Sequence, residues 1–107
     1  MEQRIRDELA SITAIIVKTI PVEQIYLFGS CAYGTPNKDS DLDIYVIMKD
    51  DAPYRPIDAM GMVYSAVAGH GFMPNDILVI TKSRFQYRSA APTMERKVLR
   101  EGVVILH

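Results

Sequence analysis

Asp41 and Asp43 stand two positions apart where the apolar run "LDIYVIM" begins, and the two-residue period of a strand turns both carboxylates to one face. Like charges held that close repel, and a cation between them removes the cost. Carboxylate oxygens are hard ligands of the kind Mg²⁺ takes together with substrate phosphates. Asp76 opens another apolar run, "DILVIT". A third carboxylate on a neighbouring strand would complete a pair of metal sites ~3.5–4 Å apart, the arrangement used for in-line displacement at phosphorus. Upstream, "QIYLF" stops at Gly29-Ser30, where a glycine admits close backbone approach and a serine hydroxyl can donate to a phosphate oxygen. Together these residue types suit nucleotidyl transfer.

Such a constellation needs elements that bring it together. Ile5, Leu9, Ile12 and Ile16 recur at helical spacing, and Pro21 follows closely, so a first helix should cover a sheet. "QIYLF" is β-branched and aromatic and reads as a strand that Gly29 ends. Ser30 to Ser40 contains Gly34, Pro36, Asn37 and Asp39 and reads as a loop. Asp43 to Met48 is the second strand. From Pro56 to Gly69, the spacing of Ile57, Met60, Val63 or Tyr64, and Val67 predicts a helix. Asp76 to Thr81 is the third strand. A helix over Pro92 to Glu101 should turn Met94, Val98 and Leu99 inward, with Gly102 stopping it and "VVIL" adding a final strand.

The stretch between the second and third strands holds a helix and is long enough for a crossover, which allows those strands to run parallel. A loop without a helix joins the first and second strands, so an antiparallel pair is the simpler expectation. Both relations bring Gly29-Ser30, Asp41, Asp43 and Asp76 to one sheet edge.

A chain of 107 residues, 49% apolar and 23% charged, has the composition of one globular domain, here residues 1–107. Net charge is −1, with Lys and Arg spread along the chain. Nothing in that balance points to a nucleic-acid partner. The single cysteine, Cys31, excludes an internal disulfide, and "MEQRIRDELA" lacks the pattern of a signal peptide. The apolar runs are shorter than a membrane span. A cytoplasmic location is the expectation.

Gly29-Ser30, ten intervening residues, Asp41-Leu42-Asp43 and the later Asp76 resemble the DNA polymerase β-like nucleotidyltransferase superfamily, and in particular its small bacterial minimal nucleotidyltransferases. The resemblance covers most of the chain. It implies an α/β fold, a small mixed sheet packed with helices, and transfer of a nucleoside monophosphate from ATP or another NTP to an acceptor hydroxyl. It further implies that Gly29 and Ser30 hold phosphate, and that Asp41, Asp43 and Asp76 bind two Mg²⁺ ions, with Mn²⁺ as a substitute. Asp76 would also help deprotonate the acceptor. Many relatives carry a basic residue ahead of the second loop glycine. Here Tyr33 precedes Gly34, leaving Lys38, Lys82, Arg84 and Arg88 as the candidate phosphate-binding substitutes. Proteins of this kind often act as antitoxins beside a helical HEPN-type toxin, which makes such a toxin the expected partner and acceptor.

Other readings fit less well. Ile44 stands where a calcium loop needs glycine, and Thr35-Pro36 stand where a P-loop needs Lys and Ser or Thr. Cys31 has no activating histidine nearby in sequence and reads as a small loop residue. His70 reads as a helix-end residue, and Arg96, Lys97 and Arg100 as the wet face of the last helix. Two functional alternatives stay open: a binding module that neutralises a partner without turnover, and a small-molecule transferase of the aminoglycoside-modifying kind.

Overall fold

The computed structural model describes residues 3–29, 31–32 and 41–106. These form α1 (Gln3–Thr19), β1 (Val22–Phe28), β2 (Leu42–Met48), α2 (Pro56–Val67), β3 (Asn75–Thr81), α3 (Lys82–Ser89), α4 (Met94–Glu101) and β4 (Val103–Leu106). The strands make one mixed sheet in the order β3-β2-β1-β4. β1 runs antiparallel to both β2 and β4, and β2 runs parallel to β3, as the connection lengths predict. The fold is the expected α/β arrangement.

Strand alternation divides the core in two. Ile25 and Leu27 of β1, Leu42, Ile44, Val46 and Met48 of β2, and Ile77 and Val79 of β3 pack with α1 and α2. Helix α1 buries Ile5, Leu9, Ile12 and Ile16, the stripe its spacing predicts. Tyr26, Tyr45 and Ile47 face the other way, against Phe85 of α3 and Val98 of α4. There the Phe85 ring lies 6.1 Å from Tyr26 and 5.6 Å from Tyr45, centroid to centroid. This second layer is what covers the face on which Asp43 lies.

Two helix faces differ from expectation. In α2 the buried positions are Ala59, Val63 and Val67, while Ile57 is 63% exposed. Tyr64 is half out, and its hydroxyl accepts a hydrogen bond from the Ile77 amide at 2.7 Å, which ties α2 to the start of β3. In α4, Val98 is buried as expected, but Met94 and Leu99 are exposed and Glu95 points inward. Helix α3 was not expected at all. It buries a single side chain, Phe85, and so carries almost no apolar period.

Candidate active site

β1 ends on Phe28, which lies opposite Asp43 in the antiparallel ladder. On the other side of β2, Asp43 lies beside Asp76 in the parallel register. The site therefore straddles three strand ends at one edge of the sheet, as the topology predicts. Gly29 follows Phe28 with φ +81°, a conformation that L side chains rarely adopt, and a Cβ placed there would meet the Asp43 carboxylate. The entrance to β3 is held by hydrogen bonds from the Leu42 amide to Pro74 O at 2.9 Å and from the Met73 amide to Glu8 Oε2 at 3.0 Å.

Asp41 is exposed just ahead of β2. Burial first, and then the negative charges of Asp76 and Asp41, push the Asp43 carboxyl above its ordinary range. Asp76 and Asp41 thus both lie within electrostatic reach of Asp43. Burial, Asp43 and Asp41 likewise push the Cys31 thiol up, while Cys31 Sγ donates to Asp41 O at 3.5 Å. That environment keeps Cys31 protonated and fits a small, buried loop residue rather than a nucleophile.

A cavity of about 220 Å³ opens beside the carboxylates, lined by Phe28, Asp43, Tyr45, Asp76, Leu78 and Met94 among others. Sequence reasoning missed its apolar walls. Tyr45 and Leu78 are legible afterwards, each two residues beyond an aspartate and so on the same strand face. Met94 has no such signal, because it comes from α4.

Among the described residues, no three His, Cys, Asp or Glu side chains gather tightly enough to hold a metal ion as they stand. The donor set nonetheless suits a hard dication. Asp43 and Asp76 are adjacent in register, the negative charge of Asp76 opposes the ionisation of Asp43, and Gly29 leaves the Asp43 carboxylate uncovered.

Sequence comparison agrees with this geometry: the family model described as polymerase beta, nucleotidyltransferase matches residues 10–107. The chain belongs to that nucleotidyltransferase family. A crystal structure from Sulfolobus solfataricus, described as that of a candidate nucleotidyltransferase, superposes with a TM-score of 0.64 at 22% identity, covering 94% of this chain and 80% of the other. That likeness is one of fold. No curated protein matches the chain.

The basic residues expected to assist this nucleotidyltransferase domain are dispersed. Ser30 and Lys38 lie outside the described residues. Lys82 and Arg84 open α3, at the end of β3 away from Asp76 and ~20 Å along the strand. Lys82 Nζ pairs with Glu23 at 3.2 Å, and the Arg84 guanidinium lies 5.6 Å from the Tyr87 ring centroid. Arg88 forms an ion pair with Glu95, which is 4% exposed and also accepts from the Tyr45 hydroxyl at 2.7 Å. Burial alone would push the Glu95 carboxyl up. The hydrogen bonds from Tyr45 and Arg88, with the guanidinium charge, outweigh it and hold the carboxyl below the usual range. This buried network braces Tyr45, and with it the floor of the cavity next to Asp43.

Proposed function

We propose that this protein transfers a nucleoside monophosphate from ATP or another NTP to an acceptor hydroxyl and releases pyrophosphate. The observation that carries the reading is the juxtaposition of Asp43 and Asp76 in adjacent register, with Gly29 placed directly against Asp43. Asp41, Asp43 and Asp76 would hold Mg²⁺ ions, with Mn²⁺ as a substitute. When bound there, the ions supply positive charge against the phosphate oxygens as charge builds on them.

The protein's own groups would act as follows. The glycine turn at Gly29 receives the phosphates where no side chain obstructs them, and the Ser30 hydroxyl donates to a phosphate oxygen. Asp76 takes the proton from the acceptor hydroxyl as its oxygen attacks the α-phosphorus. The bond from that phosphorus to the bridging oxygen breaks, and pyrophosphate carries away the electron pair. The floor formed by Phe28 and Tyr45 keeps water from one side of the reacting groups. We further propose that the acceptor belongs to a partner protein, a helical toxin of the HEPN type, and that this protein serves as its antitoxin.

The test is direct. Calorimetric titration with ATP should give binding in Mg²⁺ and none in chelator, and α-labelled ATP should transfer label to a co-purified partner. Equal affinity in Mg²⁺ and chelator would overturn the metal-dependent reading. A partner that is bound and neutralised equally by wild type, Asp43→Asn and Asp76→Asn, and is never labelled, would establish a binding module instead.

A further inference from the structure

Three carboxylates and a nucleoside triphosphate carry more negative charge than two dications cancel, so the site needs a cation of its own. Among the described basic residues of α3 and α4, three are committed elsewhere. Arg88 is paired with Glu95, Lys82 with Glu23 at the far edge, and Arg96 donates to the carbonyls of Ser89, at 3.0 Å, and Ala90.

Lys97 is different. Its Nζ lies 5.9 Å from the centroid of the Phe28 ring, and Phe28 is the residue that faces Asp43 and precedes Gly29. Lys97 also lies three positions after Met94, which lines the cavity containing Asp43 and Asp76, so the two share one helix face. The chain path agrees. Gly102 ends α4 against Tyr26 and the Leu27 carbonyl, and Val103 then pairs with Leu27, so the last turn of α4 lies at the edge where β1 ends. Among the described residues Lys97 has no carboxylate partner.

Resting on the nucleotidyl-transfer reading, we propose that Lys97 is a substrate-binding residue that contacts the nucleotide's phosphate chain beyond the α-phosphate. An ammonium on a flexible stem suits that task, since it acts as a point charge that follows the phosphates as they move. Its position in sequence hides the role, because a lysine among Arg96 and Arg100 reads simply as part of a helix's wet face.

The experiment compares MgATP and MgAMP binding by calorimetry for wild type, Lys97→Ala, Lys97→Arg and Lys49→Ala, the last removing a positive charge after the opposite end of β2. Lys97→Ala should weaken MgATP by ~10-fold, as expected for loss of a charge-assisted contact. MgAMP affinity should not change. Lys97→Arg should recover most of the loss, and Lys49→Ala should bind as wild type does. A purely structural Lys97 would shift the melting temperature and weaken both nucleotides alike, which would overturn the assignment. If wild type binds MgATP and Lys97→Ala binds it equally well, the assignment fails while the nucleotidyl-transfer reading stands. If wild type itself shows no magnesium-dependent ATP binding, both fail together.

Discussion

The Asp43 carboxylate occupies the space where any side chain on Gly29 would begin. Glycine is therefore required twice over: by the positive φ at that position and by the carboxylate beside it. Gly29→Ala should cost ~1–2 kcal/mol from the left-handed conformation alone and displace Asp43 as well. Its melting temperature should fall, and its magnesium-dependent ATP affinity should fall further than the lost stability explains. Calorimetry well below the melting transition separates the two effects.

Ionised Asp43 costs the metal-free fold stability. Its raised carboxyl pKa means that the ionised form, present at neutral pH, is destabilised in the metal-free fold by burial and by Asp76 and Asp41. Asp43→Asn removes that cost, so in chelator its melting temperature should equal or exceed that of wild type. Addition of Mg²⁺ at ~100 times its dissociation constant should stabilise wild type by ~2.7 kcal/mol and leave the variant unmoved. A variant that gains as much from Mg²⁺ as wild type does would remove Asp43 from the metal site.

Asp76 should separate binding from chemistry. In Asp76→Asn the nucleotide keeps Asp41, Asp43 and the glycine turn, so ATP binding should remain measurable. Transfer of label to the acceptor should drop by at least ~10²-fold, within the range for loss of a general base. Single-turnover assays on the co-purified partner supply the measurement, and retained transfer would deny Asp76 the proton-accepting role.

Behind the site, the Tyr45–Glu95–Arg88 network should make stability depend on pH. Because the Glu95 carboxyl is held below its ordinary range, its contribution is present above the unfolded value of ~4.3 and lost as pH falls through the folded one. The Tyr45 hydroxyl, pushed up by burial and by Glu95, contributes below its ordinary value of ~10 and loses that contribution as pH rises through the folded one. Glu95→Ala should cost about 2 kcal/mol, since it strands the buried Tyr45 hydroxyl while Arg88 retains partial access to water. Denaturant titrations from pH 3 to 7 should show a shallower acid limb in Glu95→Gln than in wild type, and identical limbs would exclude Glu95 as its source.

Much of this molecule is decided by local pattern. Helix α1 carries one unambiguous apolar stripe, and the structure buries those four residues. The strands are short and bounded by turn residues, and the connection lengths alone leave β1–β2 antiparallel and β2–β3 parallel. Those relations are enough to bring Gly29, Asp41, Asp43 and Asp76 to one edge, because strand direction fixes which ends meet. Helix α2 shows where pattern fails. Apolar residues surround it, so Ile57 or Ala59 could each begin a buried stripe, and only the fit against α1 and β3 selects Ala59.

The second layer was decided by tertiary structure. In α3 one phenylalanine is buried, too little for a periodic signal, and its position is set by aromatic packing on Tyr26 and Tyr45 from distant parts of the chain. Helix α4 turns a glutamate inward and two apolar residues outward, against the usual sense of burial, because Tyr45 and Arg88 satisfy the carboxylate there. The same packing engages Arg88 with Glu95 and brings Lys97 to Phe28. Sequence by itself determined which carboxylates meet and at which sheet edge, since both follow from residue type, strand period and connection length. Tertiary structure decided which cation comes to the end of β1, since that depends on contacts between elements far apart in the chain, which no local period encodes.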